Sequence, residues 1–397
     1  MHLNYLFNYI IKAKMKTFIK LLLCGAIIIL ALNKSAYSKE KIKIGLIVPL
    51  SGENSAIGEK IIKSIRMAVN KIDDEKIEIL PRDTKSNPIN ALKVSKELYQ
   101  EGVRIILGPV FNESNKYLDD LKDVIFISFT NKLIDNPKNV ISAGVNAISQ
   151  VQTIKKFNDK NNLSKSIFLI PRSEYKKEIE IAVKKTKIEH KNIFYYDREP
   201  TKLTKQIEDL TKYQIRKNNL QDEIKRIEGL SFKDKDKKIQ NLKKRDTLGN
   251  IGFDSVVIAD FDENLKSVAT SLLYTDVSSK RIKYITLNQW FDNSLLKETS
   301  LHPIYFPSIN KNNYEKFLND FKSNYGQDGD QLSFLSYDLV GLVYFLILEN
   351  EFKISKNIFY KKNKFKGKIG IFEINKNVIT HQLNFYSVED NQFKKIF

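Results

Sequence analysis

The chain has 397 residues, 42% of them hydrophobic, which predicts two domains or lobes with sizeable cores. Its formal net charge is +19. Because lysines alternate with acids along the chain, this charge favours a generally solvated basic surface over a nucleic-acid site, although a polyanionic partner stays open. No uninterrupted apolar run reaches the ~18 residues expected of a membrane span.

The N-terminal segment has the pattern of a signal peptide. Its apolar run, residues 21–32, follows several lysines and precedes Ser35-Ala36-Tyr37-Ser38, where small residues stand at the positions that a signal peptidase reads. We therefore predict cleavage after Ser38 and a periplasmic protein, with Met1 and Met15 both open as the start. The single cysteine, Cys24, would leave with residues 1–38, which excludes disulfides and thiol chemistry in the exported chain.

Residues 42–72 predict a buried strand, a polar loop and a helix. The apolar run 42–48 ends at Pro49, the turn Ser51-Gly52-Glu53-Asn54 follows, and apolar residues then recur at helical spacing as far as Ile72. The alternation continues with predicted strands at 77–80, 103–107, 124–128, 167–170, 193–196, 255–259 and 284–287. An irregular joint at 140–146 divides the pattern into two parallel-sheet lobes covered by helices.

Residues 201–247 interrupt the second block. Their apolar spacing predicts one long amphipathic helix that ends at Gly229, followed by a shorter returning helix capped by Asp234. This helical hairpin either protrudes and binds a partner or lies against the second lobe and stabilises it. The tail predicts a β-hairpin around 375–377.

Polar loops at the carboxyl ends of the predicted strands suggest a ligand cleft, because the ligands of open parallel sheets bind at this edge. Asn112 can equally cap a helix, Ser55 can cap the helix after the first loop, and Trp290 can be a packing residue. The candidate ligand-binding residues are Ser51, Phe111, Asn112, Ser128, Thr130, Tyr175, Asp260, Gln289 and Trp290.

Catalytic readings find little support in the sequence. His190, His302 and His381 stand in no metal-ligand spacing and beside no evident nucleophile, so we predict no enzyme, cofactor or metal. Pairs of carboxylates suited to glycan hydrolysis stay open, since their separation cannot be read from the sequence.

Several phrases occur in the order of a known family. They are PLSG near residue 50, ILGPVFNES at 106–114, VIFISFT at 124–130, FDSVVIADF at 253–261 and SYDLVGLVYFL at 336–346. The chain resembles the leucine/isoleucine/valine-binding family of periplasmic solute-binding proteins. The resemblance implies an α/β, bilobed type 1 periplasmic-binding fold, with two Rossmann-like lobes joined by crossing hinge strands. It places lobe 1 at 39–145 plus about 308–355, lobe 2 at 146–307 plus about 356–397, and a helical insertion at 201–247.

The chain also departs from that family. Where amino-acid-binding members hold a carboxylate with small hydroxyl residues, this chain has Asn112, Glu113, Ser128 and Thr130, and their acidic contact to the amino group falls at Gln289. These differences argue against a standard aliphatic amino-acid pocket.

Two functions therefore stay open. The first is the substrate-binding component of an ABC importer for amino acids or related solutes, with a small-molecule ligand and an inner-membrane permease as partners. The second follows from the insertion, which is similar to one in proteins that look like penicillin-binding protein activators. That resemblance implies a non-enzymatic regulator that contacts a cell-wall synthase.

Overall fold

The computed structural model describes residues 41–355 and 357–397, so the predicted signal peptide lies outside the described residues. Residues 43–73 and 79–397 form one compact unit. Ile42 and residues 74–78 belong to a second unit, within which the Ile42 amide donates to the Lys76 carbonyl at 2.7 Å.

The first sheet has five strands in the order β2-β1-β3-β4-β5. Neighbours from β1 to β5 pair in parallel, as the continuous apolar runs predict. The strands are β1 (Ile42–Val48), β2 (Ile77–Asp83), β3 (Ile105–Leu107), β4 (Ile125–Ser128) and β5 (Val140–Ser142).

Helices cover this sheet. Helix α1 (Ser55–Ile72) follows β1, α2 (Pro88–Gln100) follows β2, and a 3-10 helix (Asn112–Asp120) follows β3. The predicted caps were wrong at two positions, because Ser55 and Asn112 are the first residues inside their helices. Helix α2 has a side-chain cap: Asn87 accepts from the Asn90 amide at 2.9 Å.

The second sheet has seven strands in the order β15-β14-β10-β9-β8-β6-β7. Strands β6 to β10 are parallel, and the tail adds β14 antiparallel to β10 and β15 antiparallel to β14. The strands are β6 (Ser166–Pro171), β7 (Asn192–Tyr196), β8 (Ser255–Ile258), β9 (Lys283–Thr286), β10 (Ile304–Ser308), β14 (Asn384–Glu389) and β15 (Gln392–Lys395).

Its helices are α3 (Ala147–Lys160), α4 (Lys176–Thr186), α5 (Pro200–Thr211), α8 (Asp262–Tyr274) and the short α9 (Ser294–Lys297). The chain then returns to the first lobe through α10 (Lys311–Tyr325) and α11 (Gln331–Glu349). Helix α11 packs on α1, where the Ser64 hydroxyl donates to the Ser333 carbonyl at 2.5 Å.

The predicted single long helix in the insertion was wrong. Lys212 adopts a left-handed conformation (φ 52°) and separates α5 from α6 (Tyr213–Glu228). Leu203 and Ile207 of α5 lie in the core of the second lobe, so α5 is an ordinary covering helix of the sheet. The inserted arm is therefore α6 and α7 (Lys235–Lys243), which bury Leu220, Ile227 and Leu242 in a small core of their own.

Arg216 closes the base of this arm. Its carbonyl accepts from the Leu248 amide at 2.9 Å, which brings the two ends of the hairpin together. Its buried guanidinium donates to the Thr211 carbonyl at 2.9 Å, to the Thr247 hydroxyl at 2.8 Å and to the Thr275 carbonyl.

A third sheet of β11 (Asn363–Lys366), β12 (Ile371–Asn375) and β13 (Val378–Gln382) contains the predicted hairpin, in which Asn375 faces Val378. The predicted hairpin extended to Val388, whereas residues 384–389 leave it as β14 of the second sheet. The third sheet is attached to α11 by the buried Asp338 carboxylate, which accepts from the amides of Lys368 (2.9 Å) and Ile369 (2.6 Å).

Helix α11 is long and apolar enough to cross a membrane by composition alone, but 61% of its apolar window is buried in the fold. It is therefore the core helix of the first lobe.

His381, on β13, is buried against the segment that connects β5 to α3. Its Nε2 lies 2.9 Å from the Ala143 carbonyl, and its amide donates to the Ser149 hydroxyl at 2.8 Å. Burial lowers the pKa of His381 to about 4, because a charged imidazole would lose its hydration there.

We predict that His381 makes the protein less stable as the pH falls from 7 to 5. The unfolded imidazole, with an ordinary pKa of 6.5, binds a proton that the folded one, with a pKa of about 4, does not. His381 therefore lowers the free energy of unfolding by about 2 kcal/mol over this range. Asp338 acts in the opposite direction, because burial raises its folded pKa to about 6.

The measurement is urea unfolding at both pH values for the wild type and His381→Gln, since the difference between them removes the contribution of Asp338. His190→Gln, at an exposed histidine, is the control. Equal pH dependence in the wild type and His381→Gln would contradict this account.

Candidate functional site

The loop after β1 is fixed by a carboxylate at the end of β2. The Ser51 hydroxyl donates to Asp83 Oδ2 at 2.6 Å, and the amides of Leu50 and Lys85 donate to Oδ1 at 2.8 Å. Although burial raises the pKa of Asp83, these bonds outweigh it and hold the pKa below its ordinary value. Ser51 was predicted to contact a ligand. Its hydroxyl instead stabilises the loop through Asp83.

The loop after β3 turns through a cis peptide between Gly108 and Pro109. Gly108 has φ +115°, and a Cβ there would lie 2.3 Å from the Ile47 carbonyl, so only glycine fits. The buried Ser128 hydroxyl donates to the Pro109 carbonyl at 3.0 Å. Phe111 and Asn112 are half-buried at the start of the 3-10 helix.

Thr130 follows β4, and its hydroxyl lies 3.1 Å from the Ser142 hydroxyl on β5. This contact holds together the ends of two neighbouring strands. The segment between them, residues 131–139, extends toward the second lobe.

On the second lobe, Asp260 follows β8 and is 1% exposed. Its carboxylate accepts from the Tyr196 hydroxyl at 2.7 Å and from two nitrogens of Arg198 at 2.8 and 3.0 Å. Hydrogen bonding to Asp260 raises the pKa of Arg198, which keeps the guanidinium charged. Asp260 thus occupies the predicted strand end, while Arg198 already neutralises its charge.

The loop after β9 contains Asn288, Gln289 and Trp290. Gln289 Nε2 lies 3.1 Å from the Thr286 hydroxyl and 3.2 Å from the Asp260 carbonyl, so the side chain is held against the sheet. Trp290 has φ +49°, and its ring meets Tyr314 of α10 at a centroid distance of 6.0 Å. Trp290 therefore packs against Tyr314 and also lies in the loop after β9.

Asn288 is 4% exposed and has a fixed orientation. Its Oδ1 accepts from the Ser308 hydroxyl at 2.7 Å and from the Trp290 amide at 3.0 Å, so the amide nitrogen is the remaining end. Among the described residues, this buried Nδ2 has no hydrogen-bond partner. The Tyr175 hydroxyl is also buried, and burial raises the pKa of Tyr175.

A direct contact joins the two lobes. Glu178 of α4 is 4% exposed, and its Oε1 accepts from the amides of Leu133 (2.8 Å) and Ile134 (2.9 Å) in the loop after β4. Lys132 of the same loop lies 3.6 Å from Glu174. The lobes are thus in contact beside the carboxyl edge of both sheets.

A cavity of about 400 Å³ lies at this edge. Two of the predicted site residues, Gln289 and Trp290, line it, and the other predicted residues stand outside its lining. The first lobe contributes Asn131 and Gln331, the joint contributes Val145, and the second lobe adds Gln150, Phe261, Asp262, Asn288 and Asp292.

A larger cavity of about 900 Å³ lies near the amino ends of β4 and β5. Ligands of parallel sheets bind at the carboxyl edge, so the smaller cavity is the better candidate.

No sequence pattern pointed to Gln150, Arg198 or Glu178 as site residues. Gln150 lies on a helix, where its Oε1 accepts from the Asn288 amide at 2.9 Å across 138 residues of chain. The one signal for Glu178 in the sequence is that it is an acidic residue on the apolar face of α4.

Comparisons with known proteins agree with this architecture. Residues 41–185 match the family described as periplasmic binding protein. Of the solved structures, a putative branched-chain amino acid ABC transporter protein from Rhodospirillum rubrum aligns with a TM-score of 0.69 at 11% identity, covering 90% of this chain and 100% of that one.

The C-domain of LpoA from Haemophilus influenzae, a regulator of PBP1A, aligns with a TM-score of 0.60 at 13% identity, covering 89% of this chain and 100% of that one. LivJ from Streptococcus pneumoniae, solved in complex with isoleucine, gives 0.50 at 17% identity, with 90% and 99% covered. The curated proteins include no match to the chain.

The predicted resemblance is confirmed. The first 145 described residues carry the sequence pattern of periplasmic binding proteins, and the chain has the bilobed type 1 fold that solved transporter proteins and LpoA share. The matched family consists of binding proteins, and its description indicates a location outside the cytoplasm.

Proposed function

We propose that the protein binds a small polar solute between its lobes and delivers it to an inner-membrane ABC permease from the periplasm. One observation carries this proposal, namely the cavity at the carboxyl edge, which both lobes line and whose lining includes Asn288, a residue with a buried amide nitrogen that has no partner among the described residues. A buried donor left unpaired is costly, and a ligand oxygen would satisfy it.

The mechanism is closure of the lobes around the solute. A ligand shifts the equilibrium toward the closed form only if it contacts both lobes. Asn131 and Gln331 on one side and Asn288 on the other are placed to make such contacts. The lobe boundaries at 39–145 plus 308–355, and 146–307 plus 356–397, belong to this proposal, as does cleavage after Ser38.

We predict that a bound solute raises the midpoint of thermal unfolding. A ligand at 100 times its dissociation constant adds about 2.7 kcal/mol to the free energy of unfolding. The measurement is a thermal shift assay of the exported chain against amino acids, short peptides, muropeptides, sugars and amines.

The exposed Asn131 allows a matched test of the cavity. Asn131→Trp should fill the cleft and abolish the response, whereas Asn218→Trp, on the exposed face of α6, should retain it. An unchanged midpoint with every solute would argue against a solute-binding role.

The arm supports a second candidate, a regulator that contacts a cell-wall synthase. Helices α6 and α7 have a hydrophobic core separate from that of the second lobe, and Leu230 and Phe232 are exposed at the turn between them. Lysines surround this turn, including Lys233, Lys235 and Lys237. Exposed aromatic and basic side chains of this kind suit contact with an acidic protein surface.

We predict that the arm can be removed without loss of the fold. Replacing residues 218–246 by a short Gly-Ser linker keeps the bond between Arg216 and Leu248 and should shift the unfolding midpoint by less than about 4 °C. Deleting 201–247 instead removes Leu203 and Ile207 from the core, each costing about 2–5 kcal/mol, and should prevent folding.

The shorter deletion separates the two candidates. For a regulator, it abolishes capture of synthases that labelled penicillin marks in membrane extracts. For an importer subunit, solute binding survives. Capture of the same synthases by the armless protein would refute the regulatory role of the arm.

A further inference from the structure

The cavity between the lobes is negatively charged. Its ionisable lining residues among the described chain are Asp262 and Asp292, and it has no lysine, arginine or histidine. The amino-acid ligand that the family resemblance implies would bring a carboxylate of its own. A carboxylate entering this cavity would meet like charge at close range, which disfavours it.

Asp262 is the less engaged of the two acids. It is exposed at the first position of α8, and no hydrogen bond or ion pair joins its carboxylate to another described residue. Its backbone has φ +50°, an unfavourable conformation for a residue other than glycine. Asp292 is partly engaged, since it accepts from the amide of Ser294 at 2.9 Å and from its hydroxyl at 2.7 Å.

Asn288 supplies an independent indication of a ligand. Its Oδ1 accepts two hydrogen bonds within the protein, whereas its buried Nδ2 has no partner among the described residues and can donate to a ligand oxygen in the cavity that Asn288 lines. The complementary group is an oxygen acceptor, and because the cavity is also lined by Asp262 and Asp292, an uncharged one such as a hydroxyl or a carbonyl is favoured over a carboxylate.

Aromatic rings complete the lining. Phe261 and Trp290 border the same cavity as the two acids. The face of an aromatic ring attracts a cation, and the attraction is strongest for tryptophan. Carboxylates favour an ammonium group, as does an aromatic ring whose face meets it, whereas neither favours an anion.

We propose that the cleft binds a small organic ammonium ion that carries an uncharged oxygen, such as an amino alcohol or an amino sugar. This inference rests on the proposed solute-binding function. The ammonium lies toward Asp262 and Asp292 beside the two rings, and the ligand oxygen accepts from Asn288.

The test is isothermal titration calorimetry of the full exported chain with three amines, each paired with a neutral analogue. The pairs are ethanolamine with ethylene glycol, choline with its carbon isostere dimethylbutanol, and glucosamine with glucose. Leucine tests a ligand with a free carboxylate. We expect at least one amine to bind 10-fold or more tightly than its analogue, with an affinity that falls as salt rises.

Asp262→Asn should weaken binding of that amine about 10-fold without affecting the neutral analogue, because its carboxylate has no structural partner in the described chain. Asp119→Asn, at an exposed acid outside the cavity, is the matched control and should bind as the wild type does.

Binding of leucine or of a neutral analogue as tightly as the amines, unchanged in Asp262→Asn, would overturn the ammonium inference and leave the solute-binding function standing. Absence of binding by all of these compounds would overturn the ammonium inference, and an unchanged thermal midpoint with every solute of the wider assay would overturn the solute-binding function as well.

Discussion

The Glu178 carboxylate joins the two lobes directly. It is buried on the second lobe and accepts hydrogen bonds from two consecutive backbone amides of the first lobe. The link therefore depends on the backbone of the first lobe and not on its side chains. Hydrogen bonds to a charged acceptor are roughly twice as strong as neutral ones. Because the loop after β4 is fixed by this contact, the position of Asn131 in the cavity depends on it.

Many polar groups at the carboxyl edge serve the protein's own structure. Ser51 supports Asp83, Ser128 supports the cis turn, and Arg198 neutralises Asp260. What faces the cavity is an acid at 262, a buried amide donor at 288 and two rings. A family resemblance alone would have placed an amino-acid ligand here, but the charges of the lining favour a different chemistry. The regulatory candidate depends on the arm, whose core is separate from this cavity.

The sequence predicted the repeating parallel α/β architecture well, because buried strands such as Ile42–Val48 form uninterrupted apolar runs. It missed β5, which has only three residues, and β10, which contains Pro307. The break at Lys212, where the backbone is left-handed, was missed because the apolar residues keep their helical spacing on both sides of it. The positions of site residues at strand ends could be predicted because the carboxyl ends of parallel strands share one edge of a sheet. The hydrogen-bond partners of Ser51, Asp260 and Asn288 could not, because they come from distant segments of the chain.

The most direct test of this account is the distance between the lobes in solution, measured by double electron–electron resonance. Spin labels on cysteines introduced at the exposed positions of Lys93 and Lys184 of the exported chain report on the first and second lobes. We expect one narrow distance distribution without added solute, and a longer, broader one in Glu178→Ala, with Glu178→Gln between them because it keeps an oxygen acceptor. Identical distributions in the wild type and Glu178→Ala would show that this carboxylate does not hold the lobes together.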